Sequence, residues 1–401
     1  MTPRKLVTVY GATGQQGSSV INSLLENKSG EFSIRAITRN RDSDKSRAFI
    51  SRGVEVVNGD GFSQDQMNNA FKGSWAAFVN TNSSDPLLNR PGGMAERDLG
   101  KIVVDGAFEA GVQHFVYSGL VSASLATNGQ VHSSSFDEKH AIGEYAKSKG
   151  FKSVVIVSAG WYMENHTLPE FVELMGGFPF TADADGYLSL RLPRIGGDDK
   201  LPFIAMKDDY GDLVHGVLLQ PETYNGQLIQ AASEMAKPDE LVAKFQRMTG
   251  KKSRYLAIED WRTIETYGSP DVEGLKTMYG FCQYVDGKYY GVPSSLEQAK
   301  ELKAKAIVAK GLPKGEVSLG FAPDERRPSR EARGHEKQLN RLDHCNSIAL
   351  AALAFIAGSV IAAPANIDSR DIPLLGGHSG PLQGLGETLD SIEKLVPGLG
   401  Q

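Results

Sequence analysis

The stretch Lys5–Val20, KLVTVYGATGQQGSSV, decides the fold. Lys5–Tyr10 is a short β-branched and aromatic run, the pattern of a buried strand. It ends in Gly11-Ala12-Thr13-Gly14-Gln15-Gln16-Gly17, and a helical pattern continues through Ser18–Glu26. Strand, glycine-rich turn and helix in that order form the phosphate-binding opening of a dinucleotide fold. Gly11 suits the tight turn, Gly14 the close approach of backbone to a pyrophosphate, and Gly17 the close packing of helix on strand. The helix start then offers unpaired N–H groups and a partial positive charge to the phosphates. The plain alternative is a structural glycine turn that holds no ligand.

Outward from this stretch, Phe32–Thr38 predicts a second strand that ends at Arg39. In such folds the adenosine ribose lies at this strand's end, where an acidic residue accepts hydrogen bonds from the 2′-hydroxyl of NAD. Here the residues are Thr38-Arg39-Asn40-Arg41, with no acid until Asp42. A guanidinium grips a 2′-phosphate that a carboxylate would repel, so Arg39 favours NADP(H), with NAD the weaker ligand. The alternation continues with strands at Val54–Val57, Trp75–Val79, His114–Tyr117 and Ser153–Val157. Helices at Gln64–Phe71, Ala95–Ala110 and Phe136–Lys149 separate them. This predicts an α/β chain with a Rossmann-type doubly wound parallel sheet and a smaller α/β C-terminal lobe. Ligands of such sheets lie beyond the strands' carboxyl ends, which lines up Gly11, Arg39, Asn80, Ser118 and Ala159-Gly160.

The 401 residues are 40% hydrophobic and 23% charged, an ordinary soluble composition with ample material for a core. A net charge of −5 argues against direct nucleic-acid binding, which needs basic surface. Cys282 and Cys345 lie far apart, and the eight histidines form no metal-ligand pattern. The N-terminal residues enter a strand at once, without a secretory apolar region. A reducing compartment is expected, cytoplasmic or nuclear.

Past Gly160 the alternation breaks. Phe178–Pro193 reads as hairpin-like apolar stretches around a DADG turn, Pro202–Met206 as a strand, and Asp209–Leu219 as a helix capped by Asp208 or Asp209. Gln227–Ala231 and Ser253–Ile258 read as strands, and Ser233–Met248 as a helix with Pro238 in its first turn. Ser294–Lys310 is a helix whose Glu–Lys pairs read as a solvated face. Trp161, Tyr162, Phe178 and Phe180 are candidates for the wall opposite a nicotinamide, or for core between the lobes.

Taken together, GATGQQGSSV, AITRN, WAAFVNTN, HFVYSGL, SSFDEKHAIGEY and SAGWYMEN resemble the NmrA-like family, atypical members of the short-chain dehydrogenase/reductase superfamily, from about Lys5 to about Leu312. The resemblance implies a Rossmann core with a small substrate-type lobe that binds NADP(H) or NAD. Its implied cofactor residues are Gly11, Thr13, Gly14, Gln15, Gln16, Gly17, Arg39, Asn80, Thr81 and Lys139, with Tyr162 and Asn165 at the nicotinamide end. It implies two kinds of function. Fungal members act in nitrogen metabolite repression by binding a GATA-type transcription factor, and an animal relative senses NADPH, so a redox-sensing regulator is the leading expectation and an NADPH-dependent oxidoreductase the alternative. Other relatives are oxidoreductases, some in secondary metabolism. Ordinary short-chain dehydrogenases use Tyr-x-x-x-Lys, in which the lysine lowers the tyrosine pKa. Here Ser135 stands four residues before Lys139, so catalysis would fall to Lys139 as acid/base, as in isoflavone-reductase-like relatives. Its other role is donor to the nicotinamide ribose.

The expected parts are an NAD(P)-binding core at 1–160, a substrate or partner lobe at 161–320 interleaved with it, a basic linker at 321–344, and an apolar segment with a glycine-rich tail at 345–401. Cys345–Ile367 carries no charge until Asp368 and is long enough to span a bilayer. A membrane contact is expected only if that segment is a true anchor. A surface tail and a fusion of two reading frames are the other readings.

Overall fold

A computed structural model describes residues 4–313 except 91, 168–171, 173 and 174, and also residue 319. The expected linker and the apolar tail after it lie outside the described residues.

The chain begins with β1 (Lys5–Tyr10), α1 (Gln15–Leu25), β2 (Phe32–Thr38), α2 (Asp44–Ser51), β3 (Glu55–Asn58) and α3 (Gln64–Phe71). It continues with β4 (Ala76–Val79), α4 (Glu96–Glu109), β5 (His114–Tyr117), the short α5 (Ala123–Ala126), α6 (Ser134–Lys147) and β6 (Ser153–Ala159). These strands are all parallel and, with β10 (Leu228–Ala231) from the second half, form one sheet ordered β10-β6-β5-β4-β1-β2-β3. The order reverses at β1, the topological switch point of a doubly wound sheet, and the first loop of the chain opens there.

Burial on both faces explains the near-continuous apolar strands. On one face Val7, Val9 and Phe78 pack with Val20, Ile21 and Leu24 of α1. The other face joins Ala77, Val79 and Phe115 to Met67, Phe71, Val103 and Ile142 of α3, α4 and α6.

The second half interleaves with the first. β7 (Trp161–Tyr162), β9 (Leu201–Ile204) and β11 (Glu234–Ala236) form a three-stranded sheet, and β8 (Leu188–Pro193) pairs in parallel with β12 (Ser253–Ile258). A separate apolar core around Phe178, Leu190, Phe203, Phe245 and Phe281 fills this lobe. α7 (Gly211–Leu219) and α10 (Glu297–Ala309) instead return to the large sheet, where Leu213, Val217, Ala299 and Leu302 join the core of α1. α8 (Pro238–Thr249) and α9 (Pro270–Tyr284) complete the smaller lobe.

The DADG turn is hairpin-like: Ala182 bridges Leu188 in antiparallel sense and the Asp183 N–H donates to the Tyr187 carbonyl at 2.8 Å, while β8 also pairs with β12. Three expectations need correction. The expected helix from Ser233 starts only at Pro238, because Glu234–Ala236 is claimed by β9 as a strand. Neither Asp208 nor Asp209 caps α7; a π-turn at Met206–Tyr210 leads into it, and Asp209 is fully buried against Lys303 and Ser233. The helix rich in Glu–Lys pairs is not simply solvated, since Lys303 and Lys310 turn inward onto Asp209 and Asp212.

Candidate functional site

The carboxyl ends of β1, β2, β4, β5 and β6 open onto one cleft of about 570 Å3. Gly11, Thr13, Gly14, Gln15, Gln16, Arg39, Asn80, Thr81, Lys139, Tyr162 and Asn165 all line it. Gly17 does not. A Cβ there would lie 2.3 Å from the Gly11 carbonyl oxygen and 2.7 Å from Ala12 Cα, so its lack of a side chain lets α1 sit against the turn. Gly11 has φ +76°, which favours glycine, and a Cβ on it would meet the Asn80 carbonyl at 2.6 Å.

Gly14 is the N-cap of α1, which therefore has no side-chain cap, and no acid stands in the first turn. Its leading N–H groups therefore face the cleft as donors, with the positive end of the helix dipole behind them. These features fit the pyrophosphate of a dinucleotide. A second fit is Gln16, 4% exposed, whose Nε2 donates to the Tyr162 hydroxyl at 2.6 Å while its Oε1 has no hydrogen-bond partner. That oxygen is a buried acceptor at the cleft wall, a group that ordinarily finds a donor.

Arg39 leaves β2 with its side chain 55% exposed and pairs with Asp85 at 2.9 Å. Lys45, on α2, donates to the Thr13 carbonyl at 2.9 Å and adds a second cation near the turn.

At the other end Lys139, from α6, is nearly buried. Its ammonium donates to the Thr81 carbonyl at 2.7 Å, to Thr81 Oγ1 at 3.1 Å and to Glu96 Oε1 at 2.7 Å. Three acceptors match its three protons. Glu96, 6% exposed at the start of α4, also accepts from Thr81 Oγ1 at 2.5 Å and from Ser83 Oγ at 2.7 Å. Burial pushes the Glu96 carboxyl up, but the Lys139 charge and the hydrogen bonds from Lys139, Thr81 and Ser83 outweigh it and hold the group below its ordinary value.

Ser135 is not part of the cleft lining; its hydroxyl lies near Gly274 of α9. The tyrosines around Lys139 are otherwise occupied. Tyr117 is buried and shares a 3.0 Å hydrogen bond with Thr81. Tyr289 donates to the Ala159 carbonyl at 3.2 Å. Burial raises the Tyr162 hydroxyl to about 12, despite the Gln16 hydrogen bond.

Trp161 and Tyr162 line the cleft, as does Leu120. Phe178 does not: it is 2% exposed in the core of the smaller lobe, its ring 5.0 Å from that of Phe245, and Phe180 is also outside the lining. Glu96, Asp85 and Tyr289 have no sequence motif around them; each reaches the site through a contact distant in sequence. Among the described residues no cluster could hold a metal ion, and no helix is long and apolar enough to cross a membrane.

The NmrA-like family model matches residues 3–311. The NmrA-like family domain-containing oxidoreductase cpsB of Aspergillus campestris is 46% identical over 312 residues, which cover 77% of this chain and 91% of the relative. The corresponding oxidoreductase FrzB of a Cladobotryum species is 44% identical over 317 residues, covering 78% and 94%. Among solved structures, NmrA, a negative transcriptional regulator, in complex with NADP aligns with a TM-score of 0.58 at 21% identity, over 76% of this chain and 91% of that one. The same regulator has been solved with NAD. The structural likeness speaks to the fold.

Proposed function

The chain belongs to the NmrA-like family, and we propose that it is a nicotinamide-dinucleotide-dependent oxidoreductase of small-molecule metabolism that prefers NADP(H) to NAD(H). One observation carries the reading: a single cleft runs from an uncapped helix start between glycines, past Lys139, to a wall of Leu120, Trp161 and Tyr162. Gly11, Thr13, Gly14, Gln15 and Gln16 would hold the pyrophosphate, Arg39 the 2′-phosphate, and Asn80, Thr81, Lys139, Tyr162 and Asn165 the nicotinamide half. A reduced nicotinamide bound there supplies a hydride. Lys139 would serve as the acid/base by turning one N–H from Thr81 or Glu96 to the substrate, with the remaining contacts holding Nζ in place. The named activities of the fungal relatives support the reading.

NADPH oxidation against a panel of carbonyl and enone compounds tests it. Turnover by the native chain, abolished in Lys139→Ala while cofactor affinity falls far less, is the expected result; no turnover with any compound would overturn it. Arg39→Ala should weaken NADP binding and flatten its salt dependence while NAD binding stays nearly constant.

A second reading has its own support. With the three Lys139 protons taken and Ser135 in place of a tyrosine, the site lacks an obvious free acid. A redox-sensing regulator needs no acid. It would report cofactor occupancy to a protein partner such as a GATA-type transcription factor, in the cytoplasm or nucleus, through the segments 82–93 and 119–135. Partner capture that changes between NADP and NADPH would favour it.

A further inference from the structure

We propose that Asp85 sets the discrimination between the phosphorylated and unphosphorylated dinucleotide by competing for Arg39. The inference rests on the assignment of Arg39 to the 2′-phosphate given above.

The two partners of this ion pair are unequal. Arg39 is a cleft residue with 55% of its side chain exposed, whereas the Asp85 side chain is 7% exposed and does not line the cleft. The carboxylate is also held in place. Its Oδ1 accepts from the Leu87 N–H at 2.9 Å, and its Oδ2 takes Arg39 Nη1 at 2.9 Å. The Asp85 carbonyl accepts from the N–H groups of Leu88 and Asn89, at 2.9 and 3.2 Å, so the residue heads a closed turn. Among the described residues Arg39 is the cation ion-paired with it. A guanidinium carries five donors, so the edge away from Asp85 can still take a phosphate.

A phosphate on Arg39 would then face a fixed carboxylate across a single positive charge. The guanidinium attracts each anion less for being shared, and the two anions repel. A 2′-hydroxyl carries no charge and escapes this penalty. Asp85 therefore weakens binding of the phosphorylated dinucleotide selectively. Its acid is absent from the usual place at the end of the second strand, yet it acts on the same ribose position from a segment 46 residues later than Arg39 in the chain. Asparagine at position 85 would keep an acceptor for Leu87 and Arg39 while deleting the charge, which separates repulsion from mere positioning.

Dissociation constants of NADP+ and NAD+ measured by calorimetry on the full chain test this, for the native protein, Asp85→Asn, Arg39→Ala and the double variant. Asp85→Asn should tighten NADP+ by about threefold to tenfold and change NAD+ by less than about twofold, with the gain shrinking at high salt. The gain should vanish in the Arg39→Ala background. Asp85→Ser, which also offers Leu87 an acceptor, should shift the ratio the same way if Asp85→Asn folds poorly. A ratio unchanged or moved toward NAD+, or an equal gain without Arg39, overturns the proposal. If Arg39→Ala itself leaves NADP+ affinity untouched, the assignment of Arg39 has failed instead, and the two failures are told apart.

Discussion

The two ends of the cleft are built on different principles. At the glycine end recognition falls to the backbone: Gly11 and Gly17 clear space, and the uncapped start of α1 supplies donors that need no side chain. The Lys139 end is a side-chain device in which Glu96, Thr81, Ser83 and Tyr117 saturate one another's polar atoms in near-complete burial. The first end is local in sequence and cheap in charge. The second joins residues 58 and 43 positions away from Lys139, so it is ordered only once the sheet has formed. A pyrophosphate finds a ready seat at one end, whereas a nicotinamide ribose at the other must bargain with a network that is already satisfied.

If that contrast is right, removing one charge at the second end should do more harm than adding one methyl at the first. Glu96→Gln leaves the Lys139 ammonium nearly buried without its counter-charge and should cost about 3 kcal/mol in a denaturant midpoint measurement. A loss below about 1 kcal/mol would mean the network is not stringent. Because the folded Glu96 carboxyl lies below its ordinary value, its contribution is present above the unfolded carboxylate range and lost as pH falls through the lowered value. The variant's acid limb should accordingly be flatter.

Next in size, Gly17→Ala places a Cβ against the Gly11 carbonyl and should cost about 2 kcal/mol, with dinucleotide affinity falling in parallel as α1 is pushed off the turn. Stability unchanged in that variant would erase the claim that the glycine end depends on close approach.

The smallest effect sharpens the account of the nicotinamide end. His166, beside the cleft residue Asn165, is 4% exposed, its ring 5.8 Å from that of Phe203, and neither ring nitrogen has a hydrogen-bond partner. Burial lowers it to about 4. The unfolded chain therefore binds the proton first, and stability falls as pH drops from the ordinary histidine value toward the lowered one. Between about pH 7 and pH 5.5 the loss should be about 1 kcal/mol, absent from His166→Phe in the same melts.

The legible parts of the sequence are those where neighbours in the chain are neighbours in space. The β1–α1 opening and the run of parallel strands follow from apolar period and turn chemistry, and eleven of the candidate cofactor residues share one cleft. What local pattern could not reveal was decided by distant partners. α2 is short and largely polar, with only Ser46 and Phe49 buried, so it carries little apolar period. Glu234–Ala236 looks like the run-in to a helix until β9 pairs with it. Asp85 sits in a stretch of serines, prolines and glycines where no motif marks it, and only the fold brings it to Arg39. Lys303 and Lys310 belong to a stretch of solvated appearance, yet buried Asp209 from the π-turn and Asp212 from α7 draw them in.

That last contact has a consequence for the order in which the protein is made. α1, which opens the dinucleotide cradle, carries Ser23, whose hydroxyl meets both Asp212 and His215 of α7; Lys310, just past α10, closes onto the same Asp212. α1 is thus fastened by residues that lie later in the chain, Asp212 at 189 positions after Ser23 and Lys310 beyond it. Until α7 and then Lys310 emerge, a nascent chain has its phosphate-binding turn in hand but lacks these holds on the far end of α1, so the cradle is completed by parts of the chain made later.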